Sequence, residues 1–278
     1  MADRAGTSDA APQAPLTRLR RAAKQMVATS QFRWLSAPAR RAWYYWRWVS
    51  EIRNVPAILL RYGGDYRAKP IDAIADDIFS RFNGMFRPFQ VRAELLRLLQ
   101  RAAAIRPRTV VEIGTARGGT LFLLSCVADP AAKIVSIDLP AGLYGGGYPA
   151  WKGALYRRLM GRGQDLRLIR GDSHKEATFK AAVRALEGAK VDLLFIDGDH
   201  TYAGAKQDFL RYRSLVRPGG LVVMHDIIEN QFDKAITVAP LWREISAQFE
   251  TEEIVDSYDQ SGMGIGVIKA PAQWPSQA

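Results

Sequence analysis

Cysteine is nearly absent from this chain of 278 residues, and long apolar runs are missing altogether. A single cysteine, Cys126, excludes a disulfide framework within the chain. No apolar stretch approaches the roughly 20 residues that a membrane-spanning helix needs. The first residues, MADRAGTSDAAPQAP, lack the apolar core of a secretory signal. We therefore expect a cytoplasmic protein.

Histidine is also scarce, with three residues, whereas basic residues are abundant and unevenly spread. Residues 1–67 hold twelve Lys and Arg against four Asp and Glu, which is +8 of the formal net charge of +11. The basic character therefore belongs to an extension, while the rest of the chain is nearly balanced. We predict four segments: a disordered tail over 1–16, a basic, Trp/Arg-rich helical extension over 17–85, a main domain over 86–270 and a second tail over 271–278.

Within the extension, four of the seven tryptophans lie between Trp34 and Trp48, interleaved with arginine. Tryptophan and arginine together favour an interface, because the rings are amphipathic and the guanidinium stacks on them. Three partners for residues 31–62 stay open: the same domain or a second copy of the chain, an anionic membrane surface on the cytoplasmic side, and, least favoured, nucleic acid. Pro56 is predicted to end or kink any helix there.

The main domain alternates short apolar runs with helical patterns. This order is typical of an α/β fold, and it predicts a Rossmann-like, doubly wound and mostly parallel sheet covered on both faces. The predicted strands cover residues 109–114, 133–139, 165–173, 191–199, 218–227 and 262–270. The predicted helices cover residues 88–105, 119–128, 175–188, 203–216 and 240–249.

Polar residues or glycines follow each of the first five predicted strands. Because ligands bind beyond the carboxyl ends of parallel strands, this coincidence predicts a ligand site at one edge of the sheet. All three histidines of the chain, including His174, also lie there. The residues are Glu112, Gly114, Gly118 and Gly119 after the first strand, Asp138 after the second, Asp172 and Ser173 after the third, Asp197, Asp199 and His200 after the fourth, and His225 and Asp226 after the fifth.

The glycines after the first strand do not fit the common nucleotide-binding patterns. They match neither G-x-G-x-x-G nor the phosphate-binding G-x-x-x-x-G-K-[ST]. Asp138 at the end of the second strand is well placed for the two hydroxyls of a ribose, and Asp172 for a base edge. Asp138 taken alone could equally be a helix cap. Its position at the same strand-end level as Glu112 and Gly114 favours a role in binding a ligand.

The order E-x-G-x-x-x-G-G, then D, then GDS resembles the class I S-adenosylmethionine-dependent methyltransferases. The later block FIDGDHTYAGAKQDFLRYRSLVRPGGLVVMHDI resembles the macrocin and related sugar O-methyltransferases, the CmcI-type proteins of the cephamycin pathway and, more distantly, catechol O-methyltransferase. The resemblance covers about residues 88–270. It implies S-adenosylmethionine as cofactor, with Asp138 on the ribose, Asp172 and Ser173 by the adenine, and the methionyl part along Glu112, Gly114, Thr115 and Gly118.

The resemblance also implies a catalytic cluster. Asp197, His225 and Asp226 stand where metal-dependent relatives bind a divalent cation, Mg²⁺ or Mn²⁺, and His200 stands where they have the general base. His225 departs from the relatives, which have a carboxylate there. Because Mg²⁺ prefers oxygen ligands and imidazole suits Mn, Fe or Zn, this position leaves the metal requirement open.

The expected function is O-methylation of a sugar hydroxyl in a glycan or a small natural product, with His200 as base and Asp197 beside it. Two alternatives stay open. One is a metal-dependent hydrolase or oxygenase that uses Asp197, His225 and Asp226, and the other is a non-catalytic adaptor that retains a methyltransferase fold. Residues 139–153 are glycine-rich and carry Tyr144, Tyr148 and Trp151, which predicts either a lid or a loop whose aromatics pack inward.

Overall fold

The computed structural model describes residue 49 and residues 51–140 and 147–275. The predictions for the tail over 1–16, for the tryptophan cluster between Trp34 and Trp48, and for Tyr144 lie outside these residues. Residues Glu51–Ala278 group into one compact unit. Among the described residues, no helix combines the length and apolarity needed to cross a bilayer.

Eight α-helices and seven strands can be given bounds within the described residues. The helices are α1 (Val55–Tyr62), α2 (Ile71–Ser80), α3 (Arg92–Ile105), α4 (Gly119–Val127), α5 (Ala150–Leu159), α6 (Glu176–Leu186), α7 (Tyr202–Tyr212) and α8 (Val238–Ser246). The strands are β1 (Thr109–Ile113), β2 (Lys133–Asp138), β3 (Asp165–Arg170), β4 (Val191–Ile196), β5 (Val216–His225), β6 (Thr251–Ile254) and β7 (Ile265–Lys269).

The seven strands form one sheet in the order β3-β2-β1-β4-β5-β7-β6. Strands β1 to β5 are parallel, whereas β7 runs antiparallel to β5 and to β6. All five residues of β1 are buried, as expected for a central strand with helices on both faces. The predicted Rossmann-like, mostly parallel sheet is therefore confirmed.

The core has one layer on each face of the sheet, and neighbouring residues of a strand alternate between them. Val110 belongs to the layer that contains Leu95 and Phe122, whereas Val111 belongs to the layer that contains Phe209 and Trp242. This alternation follows from the two-residue period of a β-strand. Both faces are thus apolar, and the polar residues are left to the strand ends.

The segment that precedes the main domain packs against the sheet where the structure describes it. Its buried residues Ile58, Tyr62 and Ile74 pack in the same core layer as the sheet, so the structure shows no packing boundary at residues 85/86. Residues 51 and 52 are helical, residues 53 and 54 form a turn, and Pro56 lies in the first turn of the next helix, α1. A proline is tolerated there because the N–H that it lacks has no partner inside the helix.

Two further elements lie where the sequence predicted none. Strand β6 is an edge strand whose Glu252 and Glu253 are exposed, so it has no apolar run. Helix α5 begins at Ala150 in the last four residues of the predicted lid and continues beyond it to Leu159. Tyr148 just before it is 1% exposed, with its ring 5.1 Å from that of Tyr156. For Tyr148, the alternative of inward packing is therefore the one observed.

Candidate functional site

The carboxyl ends of β4 and β5 bring Asp197, His225 and Asp226 together. The register pairs Ile196 of β4 with Met224 of β5, so the next residue of each strand faces the other. His225 Nδ1 lies 3.0 Å from Asp197 Oδ1 and 3.4 Å from Asp226 Oδ1. One ligand atom from each residue lies within 4.8 Å of the others. The sequence-predicted cluster is thus assembled in space.

His200 lies against the same cluster from the loop between β4 and α7. Its Nδ1 is 2.8 Å from Asp226 Oδ2 and 4.0 Å from Asp197 Oδ1. Its backbone oxygen accepts a hydrogen bond from Thr237 N at 2.8 Å, which holds the loop against the start of α8. Asp226 itself has a positive φ of 62°, a conformation that non-glycine residues seldom adopt and that is over-represented at functional sites. His200 and Asp226 therefore form a positioned pair.

The electrostatics of the cluster follow from burial and from its alternating charges. Burial alone would lower the pKa of His225, but the carboxylates of Asp197 and Asp226 outweigh it and raise that pKa well above its ordinary value. Burial likewise opposes the charged form of His200, and the hydrogen bond to Asp226 outweighs it and raises the pKa. Burial would raise the pKa of Asp226, but the two histidines hold it well below its ordinary range. The carboxylates thus stabilise the imidazolium that forms when either imidazole takes up a proton.

Gln90 completes this cluster and was missed in the sequence. Its Nε2 donates to Asp197 Oδ2 at 2.5 Å, and its Oε1 accepts from Thr120 Oγ1 at 2.9 Å. Gln90 precedes α3 and stands 107 positions before Asp197. No local pattern in the sequence links residues so far apart, so only the packing of the α3 start against the strand ends identifies it.

The donor set of the cluster fits a divalent cation. Asp197 and Asp226 offer carboxylate oxygens and His225 offers an imidazole nitrogen, a mixed set that suits Mn, Fe or Zn better than Mg. The second oxygens of the two carboxylates are held by Gln90 and His200, which is the kind of outer support that metal ligands have. In the structure as described, His225 Nδ1 is instead engaged by Asp197 at hydrogen-bond distance.

The glycine turn after β1 approaches both β4 and α5 closely. Gly114 has a φ of 92°, and a Cβ there would lie 2.0 Å from the backbone oxygen of Asp197. Gly118 has a φ of 80°, and a Cβ there would lie 2.5 Å from the ring of Tyr156. Both positions therefore require glycine. The turn leads directly into α4, which begins at Gly119.

Asp138 at the end of β2 organises this turn. Its Oδ2 accepts hydrogen bonds from the backbone nitrogens of Thr115 at 3.2 Å, Ala116 at 2.7 Å and Gly147 at 3.0 Å. Burial raises the pKa of Asp138, and these amides oppose the shift. The Thr115 hydroxyl lies 2.5 Å from that of Ser136 on β2. The acid that the sequence assigned to a ribose thus lies beside the glycine turn and accepts hydrogen bonds from two of its amides.

Glu112 lies in the middle of this edge and is fully buried. Neither of its carboxylate oxygens has a hydrogen-bond partner among the described residues. Burial raises the pKa of Glu112 well above its ordinary value; the nearby Thr115 hydroxyl opposes the shift, and the charges of Asp138 and Asp197 add to it. A buried carboxylate without a hydrogen-bond partner is rare, and it indicates that Glu112 binds a polar group of a ligand.

Asp172 and Ser173 after β3 lie in a turn that is tied to α7. Asp172 Oδ1 accepts from the backbone nitrogen of His174 at 2.9 Å, and Tyr212 donates to the backbone oxygen of Ser173 at 3.0 Å. His174 Nε2 lies 3.5 Å from Oδ1 of the buried Asp208. These contacts are what a supporting histidine makes, so His174 contributes to the shape of the turn.

Comparison with known proteins relates the part of the chain that holds the site to a known domain. Residues 111–227 match the family model described as a methyltransferase domain. The matched range begins in β1 and ends just after Asp226, and it therefore contains every predicted site residue. This part of the chain, somewhat less than half of it, is thus similar to a methyltransferase domain, which is the class that the sequence resembles.

Among the proteins that are similar to this chain are two curated relatives and a solved structure. The uncharacterized protein y4gI of Sinorhizobium fredii is 30% identical over 154 residues, which is 52% of this chain and 16% of that protein. The uncharacterized protein R132 of Acanthamoeba polyphaga mimivirus is 31% identical over 140 residues, which is 50% of this chain and 61% of that protein. The chain therefore covers less than two thirds of the length of either relative.

The third similar protein is a solved structure from Staphylococcus aureus, assigned there as a caffeoyl-CoA O-methyltransferase. It superposes with a TM-score of 0.50 at 16% identity, over 73% of this chain and 95% of that one. At this level of identity the likeness concerns the fold, which both chains share.

Proposed function

We propose that this protein is an S-adenosylmethionine-dependent O-methyltransferase in which His200 removes the proton of the acceptor hydroxyl. The observation that carries the proposal is the His200–Asp226 pair at 2.8 Å, placed beside Asp197 at the edge where the glycine turn and Asp138 also end. Methyl transfer requires a base close to the bound cofactor, and here His200 and the glycine turn lie at the same edge of the sheet. A metal-dependent hydrolase would use the same Asp197 cluster but would leave Glu112 without a role.

The reaction is an in-line displacement on the methyl carbon of a sulfonium, with the acceptor oxygen as nucleophile. A hydroxyl is a poor nucleophile until its proton is removed, so the chain must supply a base. Asp226 orients the imidazole of His200 and stabilises the imidazolium that forms when it takes the proton. Gln90 holds Asp197 in place, so that the acceptor meets a fixed surface.

Asp197, His225 and Asp226 are the residues that would hold a divalent cation. When bound there, a cation would lower the pKa of an acceptor hydroxyl and orient it. Because one donor is an imidazole, we expect Mn²⁺ to bind more tightly than Mg²⁺.

A sugar hydroxyl, in a glycan or a natural product, is the acceptor that we propose. Phe89, Phe232 and Tyr258 are large aromatic residues that stay 42%, 71% and 70% exposed. Phe89 lies just before Gln90, Phe232 lies in the loop after β5, and Tyr258 lies in the loop between β6 and β7. All three loops are at the carboxyl edge that carries His200. Exposed rings near a catalytic edge support a role in stacking on a sugar ring.

The proposal is tested by separating binding from transfer. Calorimetry with S-adenosylmethionine measures cofactor binding, and [methyl-³H]S-adenosylmethionine with a panel of mono- and oligosaccharides measures transfer. We expect saturable binding to the wild-type protein and label in at least one sugar. The absence of cofactor binding by folded protein would refute the proposal.

His200→Asn and His174→Asn form a matched pair, because both histidines are partly buried and each is held by an aspartate. We expect H200N to keep cofactor affinity within about threefold and to lose about 100-fold or more in transfer rate, which is the usual contribution of a general base. H174N is expected to change cofactor affinity at most, with the rate at saturating cofactor retained. Equal loss of rate in both variants would contradict the role of His200.

A further inference from the structure

Three buried side chains near the glycine turn have polar atoms without partners among the described residues. They are Glu112, through both carboxylate oxygens, and Tyr148 and Tyr156, through their hydroxyls. Glu112 is 0% exposed and the two tyrosines are each 1% exposed. Because buried polar groups are nearly always hydrogen-bonded, three orphans in one region indicate a missing polar ligand.

The two tyrosines belong to one structural unit. Tyr148 immediately precedes α5 and Tyr156 lies on it, and their ring centroids are 5.1 Å apart in an edge-to-face arrangement. The ring of Tyr156 covers Gly118, where even a Cβ would come within 2.5 Å of it. Gly118 is the residue before the first turn of α4, so Tyr156 stands at the start of that helix.

The charges show that the hydroxyls and Glu112 share one region. Burial is the main reason that the pKa of Tyr148 rises to about 12. The charge of Asp138 and, to a smaller extent, that of Glu112 add to the rise, whereas the Ser136 hydroxyl and the charge of Arg170 oppose it. The pKa of Tyr156 rises well above its ordinary value for the same reasons, burial first. Both hydroxyls therefore stay protonated and remain hydrogen-bond donors.

The inventory of orphan atoms defines the chemistry of the missing group. Two neutral hydroxyls are donors and match a carboxylate. Glu112 holds a proton in the ligand-free protein, but a bound cation favours its ionised form, which is an acceptor and matches an ammonium. The backbone N–H groups at the start of α4 also favour an anion beside Tyr156. A carboxylate and an ammonium on one carbon are an α-amino-acid group.

We propose that Tyr148 and Tyr156, together with Glu112, hold the zwitterionic amino-acid group of the cofactor. The hydroxyls donate to its carboxylate and Glu112 accepts from its ammonium. Tyr156 is thereby a cofactor-recognition residue contributed by α5, an element outside the glycine turn and the strand ends. This inference rests on the proposed function, because it requires an amino-acid-bearing nucleoside as cofactor.

The test compares three nucleosides by calorimetry on the full chain. S-Adenosylmethionine and S-adenosylhomocysteine both carry the amino-acid group, whereas 5′-methylthioadenosine lacks it. The variants Y148F, Y156F and E112Q each remove one hydrogen-bonding function and keep the side-chain shape. Tyr66→Phe is the matched control, because Tyr66 is a buried tyrosine of the same core layer whose hydroxyl donates to Asp77 at 2.9 Å.

We expect each variant to weaken both amino-acid-bearing nucleosides by about tenfold or more, as is typical for a lost hydrogen bond to a charged group. Binding of 5′-methylthioadenosine should stay within about twofold, and Y66F should leave all three affinities unchanged. Equal losses for 5′-methylthioadenosine would show that the tyrosines only support the fold. Unchanged affinity for S-adenosylhomocysteine would overturn the inference while the proposed function stands. Failure of the wild-type protein to bind any of the three would remove both.

Discussion

Replacing Glu112 with glutamine is expected to stabilise the ligand-free protein and to weaken its cofactor site. Glu112 is fully buried and lacks hydrogen-bond partners among the described residues. Burial raises its pKa well above the ordinary value, so the folded protein keeps its proton at a pH where the unfolded chain has released it. Glutamine has nearly the same shape and never ionises, so E112Q removes this difference between the two states.

The direction and size follow from proton linkage. A raised pKa in the folded state makes wild-type stability greatest below the unfolded pKa of about 4.3, and that stability is lost as the pH rises toward the folded pKa. The loss is about 1.4 kcal/mol per pH unit while only the folded state holds the proton. The advantage of E112Q over wild type should therefore grow with pH above the unfolded pKa, by at most about 1.4 kcal/mol per pH unit.

Urea denaturation of both proteins at pH 5, 6 and 7, without ligand, measures this difference. Other titrating groups are common to both chains and largely cancel. Glu94→Gln is the matched control, because Glu94 is equally buried but accepts hydrogen bonds from Asp256 N, Gln260 Nε2 and Gly264 N. E94Q should lower the free energy of unfolding by about 1–3 kcal/mol at each pH, because the NH₂ group of glutamine would face N–H groups that need an acceptor. A stability difference between E112Q and wild type that does not change with pH would refute the reasoning.

Three further predictions concern the same edge of the sheet. Gly118→Ala should lower the free energy of unfolding by about 2–4 kcal/mol, because φ at Gly118 is 80° and the new Cβ would clash with the Tyr156 ring. Urea denaturation measures this loss, and an unchanged midpoint would contradict the prediction. Asp138→Ala should weaken the binding of S-adenosylmethionine by more than about tenfold, because the backbone amides of Thr115, Ala116 and Gly147 lose their acceptor. Calorimetry measures this affinity, and a wild-type value would contradict the prediction. His225→Asp should increase the affinity for Mg²⁺ relative to that for Mn²⁺, because all three ligand residues would then offer carboxylate oxygens. Calorimetry with the two metal ions measures this preference, and an unchanged preference would exclude His225 as a ligand.

The sequence predicted the central strands well because each is an apolar run bounded by polar residues. It predicted poorly where the pattern and the environment disagree. Strand β6 has exposed glutamates on an outer edge, and α5 follows a run of glycines that favours a loop. Residues 51–85 were assigned to an extension by their charge, yet Ile58, Tyr62 and Ile74 pack in the core, because charge on one face of a helix does not exclude an apolar opposite face.

The order of strand ends along the chain already determined that Asp138, Asp197, His200, His225 and Asp226 share one edge of the molecule, because parallel strands point their carboxyl ends the same way. The tertiary structure alone decided which of them touch. It placed Gln90 against Asp197, left Glu112 buried without a partner among the described residues, and set Tyr148 and Tyr156 beside the glycine turn. These contacts join residues that are far apart in the chain, and side-chain packing rather than any local pattern selects them.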